Sequence, residues 1–194
     1  KETMKKYRVR AINRFGAIKL IKHMNNAGML ISGGGTLIQD ATSTKSLIYY
    51  LAVIRLAIRR GVKVMLYSNG IGPLRNEGNI LRAKKVLNDV DVITLRDPES
   101  RDELTRLGIT KPQIAVTADP VFDLECADKE HGRQILSSLG IVTDKKLLGV
   151  SVRKWSGNTR DFEKSVAMAC DYAAEKYGFY PVFIPMKKKK DMAI

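Results

Sequence analysis

The sequence predicts an α/β protein built on a parallel β-sheet with helical crossovers. Three observations carry this. Short apolar runs alternate with helical patterns almost without break from Tyr7 to Thr117, the signature of βαβ units. The runs are nearly continuous and rich in β-branched residues, as in strands covered on both faces. Glycine-rich or polar motifs follow the strands, at the edge where open α/β sheets bind ligands.

The elements fall in this order. Tyr7–Ile12 reads as a strand and Phe15–Asn26 as a helix. Met29–Ser32 is a strand, and Thr44–Arg60 a helix whose apolar stretch is broken by Arg55, Arg59 and Arg60. Val62–Ser68 is a strand and Ile80–Asp89 a helix. Val90–Leu95 is a strand, Pro98–Leu107 a helix closed by Gly108, and Gln113–Thr117 a strand. After Asp119-Pro120 the texture changes: Val121–Leu124 precedes a polar, acidic stretch that reads as an interdomain link. A helix at His131–Leu139, a strand at Leu147–Val152, a helix at Asn158–Tyr177 and a strand at Phe179–Ile184 follow. The expected organisation is a first domain at 1–124, then a linker and the incomplete start of a second domain at 125–194. A strand-helix-strand core cannot bury both faces of a sheet by itself. The chain also opens without Met, so a processed or truncated piece is expected.

Composition narrows the class. The chain has 194 residues with 44% hydrophobic residues, enough for a sizeable core. No apolar run is long enough for a membrane span, and the start lacks the pattern of a signal peptide. Cys126 and Cys170 are the two cysteines; their separation makes neither a metal motif nor a disulfide framework. No metal site and no resident cofactor are expected. His23 and His131 lie in helical stretches and read as surface histidines. The net charge of +14, from 34 basic and 20 acidic residues, favours anionic partners. The cations are scattered over helices without interleaved aromatics, and no nucleic-acid-binding signature is present. The run Lys187–Lys190 reads as a solvated helix face.

Five motifs carry the candidate chemistry. Ser32-Gly33-Gly34-Gly35-Thr36 continues to Asp40; Asn69-Gly70-Ile71-Gly72-Pro73, Thr94-Leu95-Arg96-Asp97, Thr117-Ala118-Asp119-Pro120 and Ser151-Val152-Arg153 follow. Backbone N–H groups at Gly33, Gly34 and Gly35, with the Thr36 hydroxyl and a following helix N-terminus, suit an anion. The glycine spacing fits neither the dinucleotide fingerprint nor a P-loop, so a plain turn stays equally open. Gly70 and Gly72 form a second turn. Arg96 and Arg153 suit bidentate grip of a carboxylate or phosphate, with Arg75 a weaker candidate. Arg96 reads equally as an ion-pair partner of Asp97 or Asp119, and Arg153 as a surface arginine on Trp155. Asp40 and Asp119 read as acid or base, or as groups that orient an arginine or bond loop amides.

The ordered set resembles the polysaccharide pyruvyl transferase family, most closely its bacterial CsaB type. The resemblance rests on Ile31 through Ser43 with Ser46, Leu47, Tyr49 and Tyr50, then Gly70-Ile71-Gly72-Pro73, Ile93 through Asp97 and Val116 through Pro120. Ser151-Val152-Arg153 with Trp155, and Phe183-Ile184-Pro185-Met186, complete it. The resemblance implies two Rossmann-like halves in a GT-B-like two-domain architecture, here with the second domain truncated, and a site in the cleft. It implies transfer of a pyruvyl group from phosphoenolpyruvate to a sugar, forming a cyclic ketal with release of phosphate. The implied acceptor is an N-acetylmannosamine-containing, lipid-linked cell-wall precursor, and the ketal serves surface-layer anchoring. The implied location is the cytoplasm, at the inner face of the membrane, with peripheral contact through the acceptor. Gly33, Gly34, Gly35, Thr36, Gly70, Gly72, Arg96, Asp119 and Arg153 are the expected substrate-binding residues. The family's catalytic histidine sits in an Arg-Leu-His segment that this sequence lacks, so the chain by itself is expected to be inactive. The alternative reading is a GT-B glycosyltransferase using a nucleotide-sugar; a non-enzymatic anion- or nucleic-acid-binding module has only the charge behind it.

Overall fold

The computed structural model describes residues 2–141, 144–153 and 160–186. The chain divides into two compact units, Lys1–Glu125 and Cys126–Ile194.

In the first unit, β1 (Met29–Gly33), β2 (Lys63–Asn69), β3 (Val92–Leu95) and β4 (Gln113–Val116) form a parallel sheet in the order β1-β2-β3-β4. Two helices precede the sheet, α1 (Glu2–Tyr7) and α2 (Ala17–Met24). The crossovers are α3 (Thr44–Arg59), α4 (Glu77–Leu87) and α5 (Pro98–Arg106). Each crossover helix starts at a side-chain cap: Ser43, Asn76 and Asp97 accept the backbone N–H of Ser46, Asn79 and Ser100. A 3-10 turn, Pro120–Asp123, follows β4.

The core lies on one side of the sheet. Register places Val64, Leu66, Ile93 and Leu95 on one face, and all four are buried. Leu47, Leu51, Ile54 and Ala57 of α3 recur at helical spacing and join them, with Leu87 of α4, Leu104 of α5 and Met24 of α2. On the other face Met29, Ile31 and Tyr67 are 51%, 60% and 42% exposed. Covering on both faces was expected and is not found among the described residues. The cause is topological. Strands laid down in strict sequence order, each reached by a right-handed crossover, place every crossover helix on the same face.

One predicted strand is absent. Residues 8–12 are exposed and unpaired in a ladder. Arg8 has a φ of 53°, a left-handed conformation foreign to strands, and the preceding turn is helical rather than extended.

The second unit contains α6 (Lys129–Ser138), β5 (Leu147–Val150), α7 (Arg160–Tyr177) and β6 (Tyr180–Phe183). β5 and β6 pair in parallel, with Leu147 opposite Tyr180 and Val150 opposite Phe183. Cys170 on α7 is buried and Cys126 is exposed, both as free thiols. Trp155, the predicted helix start at Asn158 and the run Lys187–Lys190 lie outside the described residues. Among the described residues no helix is long and apolar enough to cross a membrane.

A one-sided core makes unequal demands on the two faces of β-strands. Ile93→Ala should cost about 2–5 kcal/mol of stability through transfer and cavity terms. Ile31→Ala, on the open face, should cost less than about 0.5 kcal/mol. Urea unfolding of the two variants measures the contrast; equal losses would show that the second face is covered.

Candidate functional site

The candidate site is built on two loops that run side by side. The β1–α3 loop leaves Gly33, and the β2–α4 loop leaves Asn69. Gly34 N–H donates to the Tyr67 carbonyl, Gly70 N–H to Gly35, Gly72 N–H to Ile38 and Asp40 N–H to Pro73. Ile38 and Ile71 form a parallel bridge. The two loops thus continue the pairing of β1 and β2 beyond the sheet. Gly34 and Gly35 have φ of 79° and 69°, so the turn that starts this ladder needs residues without a Cβ.

Asp40 closes the ladder. Its carboxylate accepts the N–H groups of Arg75 and Asn76 and the side-chain amide of Asn79, at 3.0–3.3 Å. Burial pushes its pKa up, but the Asn79 hydrogen bond and the two backbone N–H groups outweigh burial and hold it below the ordinary aspartate value. Of the roles open to Asp40 in the sequence, the loop-bonding one is what the geometry shows.

Arg96 lies across this framework. It donates from Nη2 to the Thr36 hydroxyl at 2.9 Å. Its Nε stands 3.4 Å from Asp97 Oδ2 and its Nη1 3.5 Å from Asp119 Oδ2. Gly70 lets this happen. A Cβ there would fall 2.7 Å from Thr36 Oγ1 and 3.0 Å from Arg96 Nε and Nη2. Asp97 caps α5 through Ser100 N–H at 2.8 Å. The Ser100 side chain, its backbone N–H and Arg96 together outweigh burial and lower the Asp97 pKa. Asp119 spends its other oxygen on Val121 N–H. Thr36, Gly70, Ile71, Gly72, Arg96, Asp97, Glu99 and Ser100 line an open cleft of about 360 Å³.

Beneath the cleft, Ser68 went unread in the sequence and Asn69 was read only as the start of the second glycine motif. Ser68 is buried with a φ of 52°. Its N–H donates to Thr94 Oγ1 at 2.8 Å and its hydroxyl to the Ala118 carbonyl. Asn69 donates from Nδ2 to the Ser32 and Tyr67 carbonyls at 2.9 and 3.0 Å, tying the ends of β1 and β2. Ser100 accepts the Ile71 N–H at 2.9 Å and so docks α5 onto the glycine turn. The Asp97-Pro98 pair before α5 is a legible capping signal; a left-handed serine inside an apolar run has none.

The expected residues separate into groups. Thr36, Gly70, Gly72, Arg96 and Asp119 converge at the carboxyl edge of the first sheet. Gly33, Gly34 and Gly35 adjoin them through the ladder, but Gly34 N–H is spent on Tyr67 rather than offered to an anion. The helix after the glycines starts at Thr44, as the sequence predicts, while the helix N-terminus that lines the cleft belongs to α5, already capped by Asp97. Arg153 follows β5 in the second unit and is exposed. His23 sits in the last turn of α2 against the Lys19 carbonyl at 2.8 Å. Among the described residues no group of His, Cys, Asp and Glu could hold a metal ion.

The family model described as polysaccharide pyruvyl transferase matches the chain over residues 1–194. No curated protein and no solved structure matches it.

The lowered pKa of Asp40 gives a signed pH dependence. Its stabilising contribution is complete above the unfolded value near 3.8 and is lost as pH falls through the lower folded value. Asp40→Asn should therefore be less stable than the wild type at neutral pH, and the gap should close on acidification below 3.8. Urea titrations across that range check it. A gap independent of pH would mean that the charge of the carboxylate is not what binds the loop amides.

Proposed function

The chain belongs to the polysaccharide pyruvyl transferase family, and we propose that its cleft at Arg96 binds an anionic group of phosphoenolpyruvate. The observation behind this reading is the convergence of three separate motifs at the sheet's carboxyl edge, where Arg96 bonds Thr36 in the space that Gly70 leaves open. The acceptor in this proposal is N-acetylmannosamine in a lipid-linked cell-wall polysaccharide precursor. The product is a pyruvate ketal whose carboxylate serves surface-layer anchoring, as in the CsaB type.

The chemistry sets what the residues must do. Two sugar hydroxyls form bonds to C2 of the donor, and the bond from C2 to the phosphate oxygen breaks. Of the two hydroxyl protons, one is balanced by the proton gained at C3 and the other leaves with phosphate. The donor carries a carboxylate and a phosphate throughout, so it needs fixed N–H and O–H donors. Arg96 has five N–H donors, and its three contacts leave some free for a ligand. Asp97 and Asp119 are positioning residues: both oxygens of each already accept hydrogen bonds or face the guanidinium. A free base would keep an oxygen open, so neither suits that role. The two carboxylates more than offset the charge of Arg96, so a second cation is needed for a donor that carries a carboxylate and a phosphate. Arg153, which follows β5 as Arg96 follows β3, is proposed for it.

Gly70→Ala should displace the Arg96 guanidinium and weaken phosphoenolpyruvate binding by about tenfold or more, the scale of one charge-assisted hydrogen bond. Circular dichroism should stay unchanged, because the added methyl meets side-chain ends rather than core. Competition of phosphoenolpyruvate against a uridine nucleotide decides the class: displacement by the nucleotide alone would favour a glycosyltransferase.

Arg153→Ala should cost about 1.5–3 kcal/mol in donor-dependent kcat/KM or affinity. Phosphate release from phosphoenolpyruvate and donor titration measure it. Unchanged kinetics in the folded variant would return Arg153 to the surface.

A further inference from the structure

We propose that residues 4–22 form a contact surface for an anionic lipid bilayer. This contact is made by the chain's own side chains, separately from any lipid-linked acceptor. Two properties coincide in the segment. Between Thr3 and Gln39 the sequence has seven Lys and Arg and no Asp or Glu. In the same segment several large apolar side chains face outward: Phe15 is 73% and Ile18 85% exposed, and Tyr7, Val9 and Ile12 are exposed as well. α2 turns Leu20 and Met24 to the core and presents Ile18, Lys19, Ile21 and Lys22 outward. Beside it, an apolar groove of about 320 Å³ runs between α2 and α3, with Arg14 at its rim. A cationic helix with aliphatic residues on its outer face suits the headgroup boundary, where cations meet anionic lipid and apolar side chains leave water.

The surface lies at a defined end of the unit. Tyr49, in the second turn of α3, donates its hydroxyl to the Arg14 carbonyl at 3.1 Å, and its ring meets Phe15 with centroids 6.2 Å apart. Residues 14 and 15 therefore sit where α3 begins, toward the carboxyl edge that carries the Arg96 cleft.

Other partners fit the same groups less well. Nucleic acid has no use for exposed Ile18 and Ile21, and the aromatics needed for stacking are engaged: Arg14 lies over Phe15 at 4.7 Å and Lys6 over Tyr7 at 5.2 Å. A second copy docked face to face would bring two cationic surfaces together.

Flotation with vesicles of phosphatidylcholine, with and without phosphatidylglycerol, tests the proposal in the absence of donor and acceptor. The chain should float only with the anionic vesicles and detach at high salt. Lys19→Glu with Lys22→Glu should lower the partition coefficient at least about tenfold through two lost surface attractions. Lys85→Glu with Lys111→Glu, an equal change of charge elsewhere, should leave it nearly unchanged. A polarity-sensitive dye on Ile18→Cys should shift to the blue on binding. Equal losses from both double variants, or bound protein with no dye shift, would overturn the proposal. A dye shift that grows with protein concentration without vesicles would overturn it in favour of self-association.

Discussion

The carboxyl edge of the sheet depends on the hydrogen-bond ladder between the β1–α3 and β2–α4 loops. Four main-chain bonds from Gly34 to Asp40, with their partners from Tyr67 to Pro73, hold two otherwise free loops at strand spacing. Loops of this length normally pay ordering entropy without a matching partner. Here each supplies the other's backbone partners, and Asp40 fixes the far end through three N–H groups. With the ladder in place, Thr36 and Gly70 are neighbours although far apart in sequence. The cleft then follows from a single steric fact: Gly70 leaves room that any Cβ would close.

The electrostatics of the cleft are positional more than stabilising. Arg96 and its two carboxylates are each about one-third exposed, at 3.4 and 3.5 Å. Pairs of that kind contribute roughly 0–1 kcal/mol, so they do little to hold the fold. They do fix the plane of the guanidinium, because three of its nitrogens are tied to three different loops. Glu103 does similar work lower down. It receives Arg106 Nε and Nη2, each at 2.7 Å, and also the Leu74 N–H at 3.3 Å. Chiefly through Arg106, and against burial, its pKa is lowered. α5 is thereby clamped to the chain that follows the second glycine turn.

Much of this was legible in the sequence, for identifiable reasons. β1 to β4 and their crossovers were found because short apolar runs alternate with helical patterns; α4 was placed three residues late, at Ile80, because the Asn76 cap went unread. The edge motifs were found because glycine and arginine after a strand are chemically conspicuous. The false strand at Tyr7–Ile12 shows the limit of reading strands from local sequence: a strand exists only where a neighbour supplies a ladder. The one-faced core was missed because β-branched runs look alike whether one face or both are covered. The role of Asp40 was narrowed but not fixed, since its partners at Arg75, Asn76 and Asn79 are brought near only by the ladder.

The bulge at the end of β2 had no sequence signal, yet it aims the site. Leu66 pairs with Ile93 and Asn69 with Leu95, so Tyr67 and Ser68 together oppose Thr94. Two residues against one is a β-bulge. Its cost is concentrated at Ser68, whose left-handed backbone is unfavourable by about 1–2 kcal/mol for a residue with a Cβ. The bonds to Thr94 and Ala118 offset this, at roughly 0.5–1.5 kcal/mol each. Without the extra residue Ser68 would oppose Leu95, and Asn69 and Gly70 would each slip to the other face. Gly70 would then no longer lie under Arg96, and Asn69 would no longer reach the Ser32 carbonyl. The strain is kept because the register it sets is the one that brings Thr36, Gly70 and Arg96 together.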